Sequence, residues 1–257
     1  MTGTAKFSLS GITKAFGDKV VLDNLDLEVE AGKSLVIIGG SGTGKSVTIK
    51  CMLGLLTPDS GKILFDGKPL TARERRNCDF FNRVGMLFQG AALFDSFPVW
   101  ENVAFGLIQG QGMARAKARD IALEKLARVG LGAEVAELSP AELSGGMQKR
   151  VGLARAIATD PEVIFFDEPT TGLDPIMADV INELISGLVR DIGATAISIT
   201  HDMASANKIA DTIAMIHQGR IIWQGPASTV NNSGNDYVEQ FINGRAEGPI
   251  QMQVLKN

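Results

Sequence analysis

From Phe7 to Glu30 apolar and polar positions alternate on either side of Gly17-Asp18, and "VVLDNLDLEVEAG" keeps the two-residue period of a strand with one face exposed. The pattern then changes. "SLVIIGG", Ser34 to Gly40, is a short β-branched run with no polar interruption, as in a strand buried on both faces of a parallel sheet. Helical periodicity runs from Ser46 to Leu56 and stops at Thr57-Pro58-Asp59-Ser60-Gly61, a loop by composition. "GKILFDGKPL" reads as a hairpin, and "RVGMLFQG" as a further core strand ending at Gln89. Between Glu101 and Ala158 the strand signals vanish, and Ala, Leu and Arg recur at helical spacing. Strands return in "EVIFFDEP" and "ATAISITHD", separated by a helix from about Pro175 to Asp191, and the hairpin "TIAMIHQGRIIWQG" closes the core. After Gly225, a loop with Asn231, Asn232, Ser233 and Gly234 leads to a short helix around Tyr237 to Ile242.

Strands alternating with helices predict an α/β fold around a mostly parallel sheet, interrupted by a helical insertion. The chain is 257 residues long and 45% hydrophobic, enough to bury a sizeable core as one large domain or two closely packed lobes. Its net charge of −4 argues against nucleic acid as the main partner, because neutralising phosphates takes an excess of Lys and Arg. Arg73, Arg75 and Arg76 form a local basic cluster, read as a solvated face. Two cysteines, Cys51 and Cys78, are too few for a disulfide framework or a four-ligand metal site, which points to a reducing cytosol. "MTGTAKFSLSG" lacks the apolar core of a leader, and no apolar run approaches the roughly twenty residues that span a bilayer. Any membrane role is therefore expected to run through a partner.

The chemistry concentrates at the ends of the predicted core strands. "GGSGTGKS" matches G-x-x-x-x-G-K-S between a predicted strand and a predicted helix, the context this phosphate-loop motif requires. Its glycines, Gly39, Gly40, Gly42 and Gly44, let successive N–H groups of the loop, with Ser41, Thr43 and the following Val47, face phosphates. Lys45 adds a point charge, and the Ser46 hydroxyl suits Mg²⁺. "VIFFDEP" is an apolar strand that ends in two carboxylates. Successive strand residues point opposite ways, so Asp167 fits the Mg²⁺ side and Glu168 is placed to orient and deprotonate an attacking water.

Three single residues gain meaning by position. Gln89 is expected to touch metal and water, His201 to hydrogen-bond a γ-phosphate, and Asp174, in "TTGLDP", to lie in a turn after the acidic pair. "LSGGMQKRVGLARA" offers a second anion-binding turn, because Ser144, Gly145 and Gly146 open a helix whose first N–H groups have no partner. His217 is expected on the surface, and Met86, Met147, Met203 and Met215 as gap fillers.

Together these motifs resemble the nucleotide-binding subunit of ABC transporters, from Phe7 to about Gly225. GGSGTGKS looks like the Walker A loop, Gln89 the Q-loop glutamine, LSGGMQ the signature, IFFDE the Walker B strand with its glutamate, GLD the D-loop and His201 the switch histidine. The resemblance implies a P-loop NTPase (RecA-like) core with an antiparallel β-subdomain, about residues 7–89 and 160–225. It also implies a helical signature subdomain at about 90–159 and a C-terminal extension at about 226–257. It implies ATP and Mg²⁺, a homodimer in which the signature of one subunit covers the ATP of the other, and adenine stacked on Phe16, where a tyrosine is more usual.

"FQGAALFDSFPVWENVAF" and "QFINGRAEGPI" are further similar to the Mla-type (maintenance of lipid asymmetry) phospholipid-transport ATPases. That likeness implies a membrane permease and lipid-binding accessory subunits at the cytoplasmic face of a bacterial inner membrane. The alternatives are the ATPase of an importer for another small solute, a soluble ABC protein, and a module that holds ATP without splitting it.

Overall fold

The computed structural model describes residues 4–71 and 78–251; the Arg73, Arg75 and Arg76 cluster lies outside them. In chain order, β1 (Ala5–Phe16), β2 (Lys19–Glu30) and β3 (Ser34–Ile38) precede helix α1 (Lys45–Met52). β4 (Ser60–Phe65), β5 (Lys68–Pro69), α2 (Cys78–Asn82) and β6 (Val84–Leu87) follow. The helices α3 (Val99–Phe105), α4 (Arg115–Arg128) and α5 (Gly145–Ala156) come next without a strand between them. The chain then runs through β7 (Val163–Asp167), α6 (Pro175–Ile192), β8 (Thr195–Ile199), α7 (Met203–Ile209), β9 (Thr212–His217), β10 (Arg220–Pro226) and α8 (Asp236–Ile242).

Two sheets result. An antiparallel sheet has the order β2-β1-β4-β5, and a six-stranded sheet the order β10-β9-β3-β8-β7-β6. In the larger sheet β9, β3, β8, β7 and β6 are all parallel, and only the edge strand β10 runs the other way. The expected mostly parallel sheet is thus present, with a separate antiparallel layer beside it.

Alternate residues of the central strands feed two apolar cores. Val36 and Ile38 of β3 and Ile164 and Phe166 of β7 face one core with α3, α4, α5, α6 and α8. Leu35, Ile37, Val163 and Phe165 face the other, with β1, β2 and α1. Burial on both faces explains why these strands read as unbroken apolar runs. The short helix α8 docks on its own chain: Val238 is fully buried in the first core, and Asn235 caps the helix while its Nδ2 donates to Ile222 O at 3.2 Å.

Several boundaries differ from the sequence reading. Helix α1 ends at Met52, because Gly54 turns left-handed at φ 74° and ends it early. β6 and β8 stop at Leu87 and Ile199, so Gln89 and His201 sit two residues beyond their strands, in loops. His217 is half-buried, its ring 5.1 Å from that of Tyr237, because α8 folds over the β9–β10 hairpin. Among the described residues, no helix is long and apolar enough to cross a membrane.

Candidate active site

The loop after β3, the loop after β6, the end of β7 and the loop after β8 all lie at the carboxyl edge of the parallel sheet. That is the edge where open α/β sheets bind ligands. Strand direction therefore gathers residues up to 160 positions apart into one cleft of about 580 Å³. Ser41, Gly42, Gly44, Lys45, Ser46 and Val47 of the phosphate loop line it together with Gln89, Asp167, Glu168 and His201. Val21 of β2 also lines it, which nothing in the sequence pattern indicated.

Close packing dictates the loop's shape. A Cβ on Gly39 (φ 150°) would lie 2.4 Å from Ile216 O, and one on Gly44 (φ 112°) 2.7 Å from Leu22 Cδ2, so neither position tolerates a side chain. Thr43 Oγ1 donates to Gly40 O at 2.9 Å. Lys45 Nζ donates to Gly39 O (2.7 Å) and Gly40 O (2.8 Å), which arches the loop over its own ammonium. Gly44 opens α1, leaving the first N–H groups of the helix turned toward the cleft without helical partners. The arch, its ammonium and these free N–H groups fit a polyphosphate.

Opposite, burial and then the neighbouring Glu168 carboxylate hold the Asp167 carboxyl above the usual range, against the pull of Lys50, Lys149 and Lys45. Burial lowers the Lys45 ammonium, while Glu168 and Asp167 act to raise it. Glu168 has left-handed backbone (φ 49°), and its N–H donates to Ile199 O at 3.0 Å, which turns its side chain out of the strand's alternation. Its Oε2 accepts from Thr171 Oγ1 at 3.0 Å and lies 2.8 Å from His201 Nδ1. The Glu168 side chain is 13% exposed and that of His201 64%. One carboxylate is thus held by two neighbours at the rim of a phosphate-shaped cleft.

Among the described residues, no group of three or more His, Cys, Asp or Glu is placed to hold a metal unaided. Mg²⁺ does not require one, since it is held by one or two protein oxygens together with substrate phosphates. Ser46 and Asp167, which both line the cleft, are oxygen donors of that kind.

Other residues singled out from sequence lie outside this cleft. Phe16 is 49% exposed near the β1–β2 turn, with the Lys14 ammonium 5.5 Å from its ring centre. Asp174 caps α6, its Oδ1 accepting from Ile176 N and Met177 N at 3.0 Å each. Ser144 opens α5, its Oγ accepting from Met147 N at 3.3 Å, so this oxygen is engaged by its own helix. A Cβ on Gly146 would lie 2.9 Å from Met177 Sδ, so α5 approaches α6 closely at this glycine and a side chain here would displace the methionine. Ser144 and Gly145 face solvent.

This fold and cleft are those of an ATP-splitting cassette. The ABC transporter family model matches residues 22–171, and the chain belongs to that family. It is an ATPase that works on Mg-ATP. It is 40% identical over 246 residues to the intermembrane phospholipid transport system ATP-binding protein MlaF of Haemophilus influenzae, covering 95% of this chain and 93% of that protein. It is 38% identical over 250 residues to the probable ribonucleotide transport ATP-binding protein mkl of Mycobacterium tuberculosis, covering 97% of this chain and 69% of that protein. A dimeric, post-hydrolysis ATP-binding cassette bound to ADP and Pi superposes with a TM-score of 0.77 at 30% identity, covering 86% of this chain and 98% of that one.

Proposed function

We propose that this chain is the ATP-hydrolysing subunit of a transporter that moves phospholipid between the membranes of a bacterial envelope. It works as a homodimer on a membrane permease, with lipid-binding accessory subunits, at the cytoplasmic face of the inner membrane. The observation that carries the cargo is a likeness over nearly the full length of both chains to a relative named for intermembrane phospholipid transport.

The residue roles follow from phosphoryl transfer, which needs positioning and charge neutralisation more than covalent chemistry. The amides from Gly39 to Ser46, with Val47, and the Lys45 ammonium hold the phosphate oxygens, and Phe16 stacks on adenine. Ser46, Asp167 and Gln89 would hold Mg²⁺ together with the bound ATP, and the ion would supply charge neutralisation at the phosphates. Glu168 accepts the proton of the attacking water, Gln89 orients that water, and His201 donates to the γ-phosphate side. Ser144, Gly145 and Gly146 act in the partner's site, and Asp174 holds the turn that faces it. The partly exposed Ser144 turn supports that reading, since it is free of its own cleft.

Closure of two such sites around ATP, and reopening after hydrolysis, moves the helical segment at about 90–159 against the permease. A second reading, import of another small solute, draws on the mkl relative named for ribonucleotide transport. Glu168→Gln should bind ATP while hydrolysis falls about 10²- to 10⁴-fold, the usual worth of a general base. The same variant, ATP-trapped and pulled down from detergent-solubilised membranes, separates the cargoes. Bound phospholipid with a lipid-binding subunit supports the first reading, and a permease without lipid machinery supports the second.

A further inference from the structure

Lys149 stands one turn beyond the Ser144–Gly146 opening of α5 and is only 5% exposed, yet among the described residues its ammonium meets no carboxylate. Instead Nζ donates to two main-chain oxygens, Gln89 O and, at 3.5 Å, Glu168 O. A buried cation is costly unless its donors are used, so a lysine is a poor choice for mere packing here. Its two acceptors belong to the loop after β6 and to the residue that follows β7, both of which line the cleft.

The same helix grips the Gln89 loop a second time. Ala91 and Ala92 are consecutive left-handed residues (φ 59° and 49°), a conformation that side-chain-bearing residues hold only when the surroundings impose it. Arg155 imposes it from the last turn of α5, donating to Ala91 O and, at 2.7 Å, to Ala92 O. There is no slack between these parts. A Cβ on Gly152, between the two cations, would lie 2.6 Å from Leu87 Cδ1 and 3.3 Å from Ala91 Cβ, and one on Gly85 2.0 Å from Ala156 O. Glu168 is itself left-handed. Glu168 and the loop that carries Gln89 thus both hold left-handed backbone, and α5 ties the Gln89 and Glu168 carbonyls together.

We propose that Lys149 is a positioning residue for hydrolysis, holding the Gln89 and Glu168 main chains in register from the helix that begins with the signature turn. The proposal rests on the roles given above to Gln89 and Glu168. It makes the signature helix a rigid link: a pull on Ser144–Gly146 from the partner's nucleotide reaches the chain's own water-activating pair through one ammonium. The charges of Asp167 and Glu168 sustain that ammonium against the desolvation that lowers its pKa.

The test compares the purified full-length chain with Lys149→Met, which keeps length and burial but loses the donors, and with Lys149→Arg. In Lys149→Met, kcat should fall about 10- to 100-fold, the cost of a displaced catalytic group, with unchanged affinity for a fluorescent ATP analogue. Amide deuterium exchange should rise in 88–94 and 168–172 but not in 34–38 or 195–199. Lys149→Arg should retain most of the rate. An unchanged kcat with unchanged exchange overturns the proposal, and so does a parallel loss of rate, affinity and protection along the whole chain. Should Lys149→Met fail to fold, Lys149→Leu, which likewise lacks donors, carries the same comparison. A wild type that splits no ATP would instead sink the functional reading, and the exchange pattern would still decide the role of Lys149.

Discussion

Lys45 illustrates how much a single side chain decides. Its ammonium arches the phosphate loop over Gly39 O and Gly40 O and is partly desolvated, so it gains strongly from a third, anionic acceptor. Lys45→Ala should weaken nucleotide binding by about 10- to 100-fold, as expected for lost hydrogen bonds to a charged group, measurable by titration calorimetry. Gly44→Ala should act differently, through backbone strain and the approach to Leu22. The expected loss is about 1–3 kcal/mol of stability in chemical denaturation. Both residues were legible in the sequence, because the phosphate-loop motif fixes spacing, charge and flexibility within eight positions. Lys149 was not. Its partners lie 60 and 19 residues away and are main-chain oxygens, which leave no trace in side-chain pattern. The packing of Met177 of α6 beside Gly146 was likewise not legible, since the two lie on different helices.

At the scale of elements, α8 is the clearest case of a segment held by few contacts. Asn235 supplies both its cap, with Oδ1 accepting from Tyr237 N and Val238 N, and a bond to β10 through Ile222 O. Asn235→Ala should cost about 1 kcal/mol locally and speed amide exchange in 236–242, leaving the exchange of β3 and β7 unchanged. The types of the core strands and longer helices were readable, since the two-residue and 3.6-residue periods are strong in β1, β2 and α6, whereas the short helices α2 and α7 were not read. Strand ends were not. Gln89 and His201 follow β6 and β8 without a change in residue character, and the strand stops where a parallel neighbour stops, which is a property of the sheet. The same limit hid the half-burial of His217: the strand pattern around it is correct, but the covering helix lies twenty residues further on.

At the scale of the molecule, a charged clasp joins the two sheets. Glu162, just before β7, accepts from Lys6 of β1 at 2.6 Å and from Arg83, before β6, at 2.6 Å, and Arg83 also meets Asp66. The Arg83 guanidinium, then Lys6, holds the Glu162 carboxyl down at about 2, against 4.5 for a free glutamate. Because the folded value is the lower one, the stabilisation is present above pH 4.5 and is lost as the pH falls toward 2. The carboxylate is half exposed, so solvent keeps the effect to at most about 1 kcal/mol. The melting temperature of Glu162→Gln should lie below that of the wild type at pH 7, and the two should converge near pH 2. The clasp also matters to how the chain finds its fold. β7 offers nearly equivalent apolar residues to both cores, so sliding it by one position would exchange Phe165 for Phe166 at little hydrophobic cost. The selection against that slip must then come from the strand's polar ends, Glu162 in the clasp and Glu168 N–H on Ile199 O. The residue proposed to activate water thereby also serves during assembly, through its main-chain N–H, as one of the marks that tells the central strand where to stop.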